Sequence, residues 1–148
     1  MPDLLIGTSS PYSLQFARKT ITFTGGTNLG AVGAVPLFTV TGEIIVALLV
    51  PTGVTGPSAG VNSTLALGVT GATTLFIAAT DPTLIDPAEF WVDTAPDPNG
   101  IAIPAALKDI AITDNIIGTV AVAAITAGAI RFDIYWMPLS SDGNLVAA

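Results

Sequence analysis

Ala129-Ile130-Arg131-Phe132-Asp133-Ile134-Tyr135-Trp136 switches between apolar and polar side chains at nearly every step. Successive side chains of an extended chain point to opposite faces. Ile130, Phe132, Ile134 and Trp136 therefore share one face, and Arg131, Asp133 and Tyr135 share the other. A period of two with one apolar face marks a half-buried strand. Thr20-Ile21-Thr22-Phe23-Thr24 repeats the pattern, with Ile21 and Phe23 inward. Val61 to Val69 sets Leu65, Leu67 and Val69 on one face. Thr70-Gly71-Ala72 then reads as a hairpin turn into Thr73-Thr74-Leu75-Phe76-Ile77-Ala78. Val35 to Thr41, Glu43 to Val50 and Ile116 to Ile125 are further strand candidates. The 15 Gly and 11 Pro are scattered along the chain, and both oppose helix interiors. The expected class is all-β: a β-sandwich or barrel of about eight to ten short strands.

The run Ile44-Ile45-Val46-Ala47-Leu48-Leu49-Val50 is apolar on both faces and is followed by Pro51. Such a strand is central in its sheet or faces a partner. Strict alternation groups Ile44, Val46, Leu48 and Val50 as the expected subunit interface, with the opposite face, Ile45, Ala47 and Leu49, as the alternative one. Residues 1–17 carry little pattern and are expected to form an N-terminal arm, leaving 18–148 as a single β-sandwich domain. Residues 80–108 are rich in Asp and Pro and read as long loops, with a short strand near Glu89 to Asp93 and one helical turn near Pro104 to Lys108.

Composition narrows the chemistry. The chain has no His and no Cys, so it lacks an imidazole base, a thiol nucleophile and disulfides. Gly56-Pro57-Ser58-Ala59-Gly60 matches the G-x-S-x-G nucleophile elbow, but that elbow needs a His elsewhere and a helix after it; here it reads as loop. Asp97, Asn99 and Gly100 fit three positions of a calcium loop, while Ala95 and Ala106 occupy its first and last ligand positions. The acids at 81–97 read instead as turn-formers beside Pro, and Trp91 and Trp136 as core or interface anchors. No catalytic residue, metal or cofactor is expected. Four basic residues and a net charge of −7 argue against nucleic acid as a partner. The longest apolar run is far short of the ~20 residues of a spanning helix, and Met1 to Thr8 reads against a secretory signal; no membrane partner is expected. Only 10% of residues are charged, against roughly 25% in an ordinary soluble domain. So much apolar surface is expected to be covered by other proteins.

Ile125 to Val146, together with Thr22-Phe23-Thr24-Gly25-Gly26 and Leu29-Gly30-Ala31-Val32-Gly33, resembles small β proteins encoded among the virion genes of tailed bacteriophages. The nearest functional type is the capsid decoration, or cement, protein. The resemblance implies a jelly-roll-like fold, a homotrimer, and a seat on the capsid surface against the major capsid protein, after synthesis in the host cytoplasm. It transfers no functional residue. A head-fibre or receptor-binding module reading host glycans through residues 80–104, and a tail or head-completion component, are the alternatives.

Overall fold

The computed structural model describes residues 13–148. They form nine strands: β1 (Gln15–Thr22), β2 (Gly33–Thr41), β3 (Ile44–Ala59), β4 (Thr64–Val69), β5 (Ala72–Thr80), β6 (Ile110–Ile112), β7 (Ile116–Ala121), β8 (Ile125–Pro138) and β9 (Asn144–Ala147). One sheet has the order β1-β8-β3-β6 and the other β5-β4-β7-β2-β9. The pairs β1–β8, β2–β7, β3–β6 and β4–β5 are all antiparallel. This is one long hairpin of eight strands rolled up on itself, the jelly-roll order. β9 adds a ninth strand beside β2. The sheets form a sandwich and do not close into a barrel.

The alternating stretch lies within β8 as expected. Ile130, Phe132, Ile134 and Trp136 face the other sheet and are buried. They meet Leu65 and Leu67 of β4, Ile116 and Val120 of β7, and Val35 and Phe38 of β2 in one core. Each large apolar side chain buried this way contributes about 1.5–3 kcal/mol. β1 begins at Gln15, so residues 15–17, expected in the arm, belong to the sheet. The rest of the arm, residues 1–12, lies outside the described residues.

β3 departs most from the sequence reading. It does not stop at Pro51 but runs to Ala59. Its Gly56–Ala59 segment is strand rather than loop, and Thr126 Oγ1 donates to the Ser58 carbonyl. Within the apolar run the partners step from Val46↔Trp136 to Leu48↔Tyr135. Two residues of β3 thus oppose one of β8, with Ala47 as the extra residue of a bulge. Its carbonyl accepts the Asp109 N–H at 3.3 Å. The bulge reverses the phase: Ile44, Val46 and then Leu49 are fully buried in the core. Leu48 and Val50 turn to the outside and are half-buried. Ile116 to Ile125 is also corrected, since a turn at 122–124 divides it between β7 and β8.

Residues 81–109 carry the chain from one sheet to the other. Ala88 N–H donates to the Gly53 carbonyl, Gly53 N–H to Glu89, and Trp91 N–H to Pro51. The loop thereby covers the flank of β3 beyond the short β6. The expected strand at 89–93 reduces to isolated bridges at Phe90, while the expected helical turn is present as a 3-10 turn at Ala105–Leu107. Ile85, Trp91, Val92 and Leu107 pin the loop into the core.

Candidate assembly surfaces

The register of β1 on β8 sets Phe16, Arg18 and Thr20 beside Tyr135, Asp133 and Arg131. These side chains point away from the core. Asp133 accepts from Arg18 Nε at 2.5 Å and from Arg131 Nε at 3.0 Å. The Asp133 hydrogen bond holds the Arg18 guanidinium further above its already high ordinary value. Its positive charge is therefore fixed throughout the working pH range. Phe16 lies 5.1 Å from Tyr135, ring centre to ring centre, and the Arg18 guanidinium sits 5.5 Å from the Phe16 ring centre. Ile45, Leu48 and Val50 of β3 flank this ladder, opposite Met137, Tyr135 and Asp133. Of the four residues expected at an interface, Leu48 and Val50 reach this outer face. Ile44 and Val46 are in the chain's own core, where no partner can touch them.

The other sheet has a different character. None of its five strands contains an Asp, Glu, Lys or Arg. Alternation against buried Leu65, Leu67, Ile116 and Val120 places Thr64, Ala66, Ile117 and Thr119 on the outer face, beside Ala34 and Pro36 of β2. Thr39 and Thr41 continue it towards β9, opposite Val146 and Asn144. Every acid of the described chain lies on the first sheet, its flanking loop, or the turns at the end where β2 passes to β3. The sequence reading missed this face. Its signal was the absence of any charged residue from Thr20 to Gly42 and from Ile44 to Thr80.

Thr119 Oγ1 is the one buried side-chain polar atom without a hydrogen-bond partner among the described residues. An unpaired buried hydroxyl costs about 1–3 kcal/mol. Thr119→Val keeps the shape and removes the hydroxyl. It is expected to raise the melting temperature by about 3 °C, equivalent to roughly 1 kcal/mol in a chain of this size. Differential scanning calorimetry reads this directly, and a fall of similar size would show that the hydroxyl is satisfied.

The uncharged surface continues over one end of the sandwich, where the turns after β1, β3 and β7 meet. Val32, Val61 and Val122 are 59%, 84% and 70% exposed there. Ala123 N–H closes a three-residue turn onto the Ala121 carbonyl at 2.9 Å, with Val122 at φ +69°. That is the strained sense of this turn, and a β-branched residue fits it poorly. Val122→Gly is expected to stabilise the fold by about 1 kcal/mol, because strain relief of about 1–3 kcal/mol exceeds the entropy cost of the glycine. A shifted urea midpoint at unchanged slope checks it.

The acidic loop spends its side chains on its own backbone. Asp81 accepts from Thr83 N–H, Glu89 from Asp86 N–H, Asp93 from Ala95 N–H and Asp97 from Asn99 N–H. This is the turn chemistry expected from the sequence. Among the described residues, no group of three or more acidic side chains is arranged to hold a metal ion. Trp91 is fully buried rather than offered as a ligand platform. A shallow cleft of about 250 Å³ opens among Glu43, Val69, Leu75, Asp114 and Leu139 at the opposite end. No described helix is long and apolar enough to cross a membrane. No family model matches the chain, and no curated protein or solved structure matches it either.

Proposed function

We propose that this chain is a structural, self-associating subunit of a tailed-phage virion that decorates and cements the capsid shell. The major capsid protein is its second partner, and catalysis has no part in the role. One observation carries the reading: a whole five-stranded sheet is built without an ionisable side chain, although one of its faces points away from the core. A face left in water ordinarily carries charges, and a charge-depleted face is the mark of a surface that is covered in use. The jelly-roll order supports the reading, since viral capsid domains are built on it, as are lectins and cupins. Fold alone assigns no function, so the weight rests on the surface and on the resemblance of Ile125 to Val146 to phage virion proteins.

A decorating protein acts by mass action: binding only the assembled shell stabilises that shell. Particles assembled with this chain are expected to retain it through gradient purification, in many copies spread over the shell, and to resist heat better than undecorated particles. Recovery of the chain only as a single ring would move it to the tail or head-completion class. Failure to bind expanded shells would remove the cement role.

A further inference from the structure

We infer that the outer face of the five-stranded sheet is the surface through which this chain binds a second copy of itself; the inference rests on the self-association proposed above. The chain carries a net charge of −7, so two copies repel each other over most of their surfaces. Within this face no like charges meet, because neither β2, β4, β7 nor β9 supplies one; Glu43, Asp114 and Asp142 stand only in the turns at one end of it. The rival face, on the four-stranded sheet, carries Arg18, Arg131 and Asp133 at its centre. Placed against itself across a two-fold axis, it would crowd arginines already committed to their own Asp133.

Five strands spaced about 4.8 Å apart and about six residues long span roughly 500 Å² per copy. Ala66 and Gly68 of β4 are already covered within the chain, Gly68 by the Ala72 and Thr73 backbone, so two such faces bury at most roughly 1,000 Å². The exposed Val32 and Val122 at the adjoining end carry the contact towards the area of specific association. The outward side chains are short, with Ala34, Thr39 and Thr119 among them, so a second sheet can approach at the usual spacing of about 10 Å. Face-to-face packing makes the pair the simplest product, although the resemblance to decoration proteins implies a trimer.

The test uses the full chain in sedimentation equilibrium, from low micromolar to about 0.1 mM, where even weak pairs associate. Ala34→Lys and Thr39→Lys each put an unpaired ammonium on the face at an exposed position of β2, where the monomer tolerates it. Each is expected to weaken association by more than about tenfold, since a buried unpaired charge is costly. Thr94→Lys, in the acidic loop, is expected to associate like the parent. Circular dichroism confirms that all variants fold. Oligomers that persist in both β2 variants, or that dissociate in Thr20→Lys alone, overturn the assignment of this face while leaving self-association intact. A parent chain that stays monomeric over the whole range overturns self-association itself.

Discussion

Trp91→Ala is expected to cost about 3–5 kcal/mol of stability, the range for deleting a fully buried large aromatic. The indole is completely enclosed. It packs edge-on against Phe132 of β8 at 6.4 Å between ring centres, and its Nε1–H donates to Thr80 Oγ1 at 3.1 Å. It thus ties the 81–109 loop to both sheets at once: Phe132 belongs to the first sheet and Thr80 to the second. Thr80 keeps its own bond to the Ala78 carbonyl when Trp91 is removed, so the loss is mainly one of packing and of the cavity left behind. A chain with the usual total stability of about 5–15 kcal/mol would be left marginal. Trp91→Phe retains most of the packing and is expected to lose only about 1–2 kcal/mol. Urea unfolding of the three proteins ranks them. A protease that cuts after acidic residues adds a local readout, because Asp81, Asp86, Glu89, Asp93 and Asp97 all lie on the segment that Trp91 holds down. A Trp91→Ala protein that unfolds like the parent would mean the loop is anchored elsewhere.

The contrast between Trp91 and the strands around it shows what the amino-acid order carries by itself. β8 was legible because Arg131 and Asp133 interrupt its apolar residues and fix the phase. β4 and its turn at Thr70-Gly71 were legible because the pattern and the turn are local. The jelly-roll order was expected only as a likeness. Its defining pair, β1 with β8, joins segments more than a hundred residues apart, and periodicity in one strand says nothing about which distant strand it meets. The Arg18–Asp133–Arg131 ladder was missed for the same reason: half of it was read on β8, and the other half arrives through that long-range register. The uncharged sheet is the opposite case. Its signal lay open in the sequence as long stretches without a charge, but it gains meaning only when the topology gathers those stretches into one sheet.

The apolar run of β3 gives the sharpest test, because its two readings predict opposite outcomes at adjacent residues. Unbroken alternation from buried Ile44 and Val46 would put Leu48 in the core and Leu49 outside. The bulge at Ala47 does the reverse. Leu49→Asp is therefore expected to abolish folding. Leu49 is fully enclosed, and its register partner is Ile134, whose side chain lies in the same core. A carboxylate there has no partner, and an unpaired buried charge costs several kcal/mol beyond the lost apolar burial. Together these approach the whole stability of a chain this size. Leu48→Asp lies on the half-open outer face, where the new carboxylate keeps much of its hydration. It is expected to leave a folded protein weakened by only about 1–2 kcal/mol. Val50, though on the same face, packs against the core, so Val50→Asp is expected to fall between the two. Soluble yield, circular dichroism and urea midpoints separate the three. A folded Leu49→Asp beside an unfolded Leu48→Asp would remove the bulge, and with it the assignment of Leu48 and Val50 to the outer face. A run with no polar residue to mark its phase gives a sequence no means of announcing a one-residue slip, and the bulge at Ala47 is such a slip.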